Sequence, residues 1–112
     1  MTEFTDSYKE LKDNSLLMAK HCPDVAKAFK GLHGEAVKDN VLDKKTKEFV
    51  ALGIAIGVRC EGCILSHVKT AVSLGATMEE IAEVVNVAVL MGGGPSTVYG
   101  GKALAIAESL LE

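Results

Sequence analysis

Apolar residues along most of this chain recur at the three-and-four spacing of a helix face, and strand-like alternation is absent. Phe4, Tyr8, Leu11, Ser15 and Met18 mark the first such face, which His21-Cys22-Pro23-Asp24 interrupts. Pro23 suits the first position of a second helix, where its missing N–H costs nothing. Val25, Phe29, Leu32 and Ala36 then repeat the spacing. Lys38-Asp39-Asn40 reads as a loop, and Asp43 is placed to cap a third helix. That helix opens on Lys44, Lys45, Lys47 and Glu48 and turns apolar on every side from Phe49 to Val58, so it is expected at the centre of an assembly.

Arg59 to Gly62 turns the chain into a fourth helix carrying Cys63, His67, Thr70, Ala71 and Leu74 on one face, closed by Gly75. Thr77-Met78-Glu79-Glu80 predicts a capping box, the sharpest helix start in the sequence. Ile81, Val84, Val85 and Ala88 form the inner face of the fifth helix, while Val87, Val89 and Leu90 make its other side apolar too. Gly92-Gly93-Gly94-Pro95 ends it, and Pro95 opens a last helix bearing Ala103, Ile106, Ala107 and Leu110. The expectation is an all-α fold, a compact antiparallel helical domain of about six helices, forming a single domain over 1–112. Two helices with apolar surface on both sides imply that copies of the chain associate into a homo-oligomer.

Composition narrows the function classes. The chain has 112 residues, 48% hydrophobic and 24% charged, with a formal net charge of −3. Its lysines are scattered, with no basic stripe and no aromatic–basic interleaving, so nucleic acid is not an expected partner. The longest apolar run, ten residues from Phe49 to Val58, is half of the roughly 20 that a membrane-spanning helix needs. Met1-Thr2-Glu3-Phe4 lacks the layout of an export signal. The cysteine count is three, and an odd number without such a signal points to reduced thiols in the cytoplasm. No glycine-rich fingerprint follows a strand, so no nicotinamide or flavin cofactor is expected.

The chemistry concentrates at Cys60, Cys63 and His67. A redox cysteine works as its thiolate, so a free thiol pKa of about 8.5 must be brought down. Cys63 lies in the first turn of a helix, where unpaired N–H groups favour an anion. His67 follows one turn later on the same face, and Cys60 is close enough to close a disulfide across the helix start. Nucleophile, base and resolving thiol are what a two-electron thiol cycle requires. Glu48 is the fourth candidate. In a hairpin pivoting near Arg59 it falls opposite Thr70, about 4–5 Å along the axis from His67 and able to orient it, or else it is a solvated residue of a charged first turn. Which cysteine attacks stays open: His67 and the helix start favour Cys63, whereas the earlier cysteine of thioredoxin-like motifs favours Cys60. A metal site on Cys60, Cys63 and His67 is an alternative, although it supplies three ligands where a closed zinc site needs four. A cofactor-free decarboxylase or isomerase using Glu48 and His67 is another. Cys22, His21 and His33 are read as structural or surface residues.

From Glu48 to Tyr99 the sequence resembles the carboxymuconolactone decarboxylase family, in particular its alkylhydroperoxidase D-like branch. The resemblance is carried by Glu48, Cys60-Glu61-Gly62-Cys63 and Ser66-His67, followed by Leu74-Gly75-Ala76-Thr77, Glu79-Glu80-Ile81 and Met91-Gly92-Gly93-Gly94-Pro95. It implies trimers or hexamers, reduction of a small peroxide substrate through Cys63 and Cys60 with a proton relay by Glu48 and His67, and an external dithiol reductant protein. The best-known members carry a second histidine where this chain has Gly62, which implies a shorter relay here. True lactone decarboxylases of the same fold do not depend on the cysteine pair.

Overall fold

The computed structural model describes residues 2–112, with side chains described from Asp6 onward. The expected contribution of Phe4 to the first helix face therefore lies outside the described side chains. Six helices follow one another: α1 (Thr2–His21), α2 (Pro23–Val37), α3 (Lys44–Gly57), α4 (Glu61–Ser73), α5 (Met78–Gly92) and α6 (Gly94–Leu111). No strand occurs among the described residues. Two compact units result, the first ending at Lys44 and the second spanning Lys45–Glu112. No helix of the described residues is long and apolar enough to cross a membrane.

In the first unit α1 and α2 meet at Cys22, the single non-helical residue between them. Pro23 opens α2, and its missing N–H breaks an otherwise continuous ladder in which the Cys22 N–H donates to the Met18 carbonyl and the Ala26 N–H to the Cys22 carbonyl. Cys22 occupies the N-cap position, is exposed, and makes no capping bond with its sulfur. The apolar spacing expected of α2 is present, but Val25, Phe29 and Leu32 are each more than 60% exposed. None of the residues of α2 is buried. The link to α3 is short and bonded: Asp39 accepts the Lys44 N–H at 2.7 Å, and the Asn40 N–H donates to the Leu42 carbonyl.

The second unit holds the core. Leu52, Ala55 and Ile56 of α3, Ile64, Val68 and Ala71 of α4, Ile81, Val85 and Ala88 of α5, and Ala103, Ile106 and Ala107 of α6 are all buried. On α5 and α6 these are almost the positions that periodicity marks. On α4 the buried line is Ile64–Val68–Ala71, so Cys63, His67 and Thr70 flank the core half-buried rather than forming its centre. The inner face of α3 is buried as expected of an apolar helix, while Val50, Ile54 and Val58 on its other side remain exposed. Close packing of α5 on α6 depends on Gly100, where a Cβ would stand 2.6 Å from Val85 Cγ1. The capping box forms as expected, with the Glu80 N–H donating to Thr77 Oγ1 at 3.1 Å and the Thr77 N–H to Glu80 Oε1 at 3.0 Å. Lys45 adds an ion pair to the same carboxylate at 3.0 Å, tying α3 to the start of α5.

Candidate redox site

Two helix ends set the position of the cysteines. At the end of α3 the Arg59 N–H donates to the Ile56 carbonyl and the Cys60 N–H to the Ala55 carbonyl, the paired bonds of a Schellman motif. That motif requires a left-handed residue, and Arg59 supplies it at φ 60°, where glycine is the usual choice. Cys60 is thus fixed by α3 from behind while serving as the N-cap of α4 in front. Its sulfur accepts the Cys63 N–H at 3.2 Å, taking one of the donors that a helix start leaves unpaired.

Cys60 and Cys63 are joined by a disulfide, with Cα atoms 5.2 Å apart. Both are partly buried, close enough to the surface for a reagent to reach them. Four residues beyond Cys63, His67 meets Glu48 directly: His67 Nδ1 lies 2.7 Å from Glu48 Oε1. The pair spans α3 and α4, and the carboxylate covers the axial offset expected of a simple hairpin directly. Glu48 is not the solvated residue that its charged neighbours allow. It is 1% exposed, and its second oxygen, Oε2, has no hydrogen-bond partner among the described residues. An ionised Glu48 accepts the hydrogen on Nδ1, leaving Nε2 of His67 as the basic nitrogen.

All four residues singled out in the sequence lie in the second unit: Cys60 and Cys63 are joined at the start of α4, and Glu48, in the first half of α3, is bonded to His67, one turn beyond Cys63. A further pairing was not visible from spacing. Lys102 of α6 reaches Glu61, the residue after Cys60, at 2.9 Å, and its ammonium stands 6.0 Å from the Tyr99 ring centroid. Nothing in the sequence marks a contact between residues so far apart. Among the described residues, no group of three His, Cys, Asp or Glu side chains is arranged to hold a metal ion. Bonded to each other, the two sulfurs have no thiolate to offer as a metal ligand.

Comparison with known proteins agrees with this architecture. Residues 23–108 match the model of the carboxymuconolactone decarboxylase family. An uncharacterised protein of Cupriavidus necator is 38% identical over 88 residues, covering 79% of this chain and 78% of its own length. A second, named as uncharacterised protein 4 of the cox locus of Paracoccus denitrificans, is 39% identical over 83 residues, with 74% and 75% covered. The apo crystal structure of a carboxymuconolactone decarboxylase family protein from Legionella pneumophila superposes with a TM-score of 0.95 at 38% identity, over 100% of both chains. A family member from Thermotoga maritima, for which a part in antioxidative response has been suggested, gives a TM-score of 0.80 at 29% identity, over 96% of this chain and 89% of that one.

Proposed function

Given that the chain belongs to the carboxymuconolactone decarboxylase family, we propose that it is a thiol-dependent peroxidase working through a Cys60–Cys63 dithiol–disulfide cycle. The observation that carries this reading is the disulfide at the start of α4, one turn from a histidine bonded to a buried carboxylate.

In the reduced protein His67 takes the Cys63 proton, and the helix start favours the resulting thiolate. Cys63 attacks the distal oxygen of a hydroperoxide and the O–O bond breaks. The alkoxide leaves with the proton held by His67, and the sulfur becomes a sulfenic acid. Cys60 then attacks that sulfur, its thiolate favoured by the N–H that Cys63 donates to it. Hydroxide departs with the Cys60 proton as water, and the disulfide closes. A separate dithiol protein returns two electrons and two protons. Glu48 orients His67 throughout, and Nε2 of His67 is the nitrogen that shuttles the proton. No cofactor takes part, and a cytoplasmic setting suits a cycle that needs an external reductant.

Cysteine variants test this directly. Cys63→Ser should abolish peroxide consumption, whereas Cys60→Ser should complete one attack and stop at a sulfenic acid that dimedone traps at Cys63. Label at neither cysteine, with peroxide untouched, would overturn the proposal. Turnover of a lactone acid by the Cys63→Ser variant would favour decarboxylation instead.

A further inference from the structure

A thiolate at the start of α4 has a competitor. Glu61 stands between the two cysteines in the chain, in the first turn of the same helix, where its carboxylate meets the dipole that a thiolate would use. Two negative charges in one helix start oppose each other, because a nearby like charge disfavours the ionised form of a thiol. The ends of side chains one or two residues apart in a helix are roughly 7–10 Å from one another. Across that distance a unit charge moves a thiol by roughly 0.3–0.9 of a pH unit, for effective dielectric constants from about 80 down to about 40.

The fold answers that charge from another helix. α6 packs on α4, and the Lys102 ammonium reaches the Glu61 carboxylate at 2.9 Å. The same ammonium stands 6.0 Å from the ring centroid of Tyr99, one turn earlier on α6, where the negative face of an aromatic ring attracts a cation. Tyr99 is half-buried, and Gly100 beside it is buried against Val85, so this stretch of α6 is firmly seated. As a contribution to stability the ion pair counts for little, since its side chains are 49% and 66% exposed. Its place beside the cysteines gives it a different use. The other charged groups on the elements next to the two sulfurs are Glu48 of α3, bonded to His67 of α4, and Arg59, an exposed cation adjoining Cys60 in the chain.

We propose that Lys102 is a positioning residue of the redox site: by pairing with Glu61 it cancels the carboxylate charge in the cysteine turn that opposes a thiolate at Cys63. This rests on the thiol cycle proposed above for Cys63 as the thiolate, and adds a residue of α6 to that cycle. The ion pair is neutral as a whole. Removing either partner therefore leaves a charge beside the sulfurs, negative in one case and positive in the other, and the two removals act in opposite directions.

Alkylation of the reduced full chain by iodoacetamide across pH tests it, with the label at Cys63 read by fragmenting the tryptic peptide 60–69. Lys102→Gln should raise the Cys63 midpoint by roughly 0.3–0.9 of a pH unit, slowing alkylation at neutral pH about two- to eightfold and leaving the plateau at high pH unchanged. Glu61→Gln should lower the midpoint by a similar amount. The double variant should return close to wild type, and Lys102→Arg should behave as wild type. In about 1 M salt, where screening acts within about 3 Å, the shifts should collapse. Unmoved midpoints would overturn the proposal. So would shifts of the same sign in the two single variants, which mark a disturbed fold rather than a charge. Peroxide takes no part in this titration. Opposite shifts in a protein that leaves peroxide untouched would sustain the role of Lys102 and overturn the peroxidase reading, whereas unmoved midpoints in an active peroxidase would overturn the role of Lys102 alone.

Discussion

Glu48 is costly to keep where it is. A carboxylate 1% exposed, bonded through one oxygen and unpartnered at the other among the described residues, gains less than burial takes from it. Such a residue persists in a fold when its chemistry is needed, a trade between stability and activity. Glu48→Gln should therefore leave the thermal midpoint unchanged or raised, while slowing the reaction of reduced protein with peroxide about 10–100-fold. An equal loss of stability and rate in calorimetry and stopped-flow would make Glu48 a structural residue instead. His67→Ala should fall to a similar rate, and the double variant should be little slower than either single one, since the two side chains act as a unit. The sequence made Glu48, Cys60, Cys63 and His67 legible because helical spacing and hairpin arithmetic depend on nearby residues alone. That the carboxylate bridges the expected axial offset directly, at 2.7 Å, needed the actual packing of α3 on α4. The Lys102–Glu61 pair, from helices apart in sequence, left no local trace at all.

Element boundaries follow the same logic. The box at Thr77 and Glu80 was readable because both partners lie within one turn, and Gly75 at φ 94° closes α4 as a glycine at that position should. The end of α3 uses the same backbone motif with Arg59 in the glycine position, so the handedness of that turn carried no signal in the sequence. Arg59→Gly should be neutral or stabilising by up to about 1 kcal/mol in urea titrations, relief of the left-handed strain being set against the greater freedom of glycine in the unfolded chain. Gly100→Ala should cost about 1–3 kcal/mol, since its methyl would press on Val85. Acid tests the start of α5. The Thr77 N–H, first, and the Lys45 ammonium hold the Glu80 carboxyl below its usual range. A depressed folded pKa contributes stability above the unfolded value, about 4.3, and loses it as pH falls through the folded value. Wild type should exceed Glu80→Gln in stability at neutral pH, with the gap closing on acidification below about pH 4. A gap that is the same at both ends of that range would show that the charge contributes nothing.

At the scale of the whole molecule, periodicity captured six helices and most of the buried line of α5 and α6, because a core face repeats with the helix itself. It did not reveal that α2 has no buried residue, since spacing cannot say what covers a face, whereas the apolar surface that α3 and α5 keep exposed in the single chain follows from their two-sided apolar faces. The disulfide is a minor part of this architecture. It closes a four-residue loop, for which the chain-entropy estimate is about 2 kcal/mol, so the reduced chain should stay folded by circular dichroism. That makes the reduced protein a fair reagent for the deciding measurement. Fully reduced wild type is mixed with an organic hydroperoxide in stopped-flow, and the products are mapped by mass spectrometry. The account predicts oxidation at least about 100-fold faster than that of free cysteine, the loss of two thiols per peroxide, and a Cys60–Cys63 disulfide as product. Thiols no faster than free cysteine, or peroxide consumed without that disulfide, would contradict it.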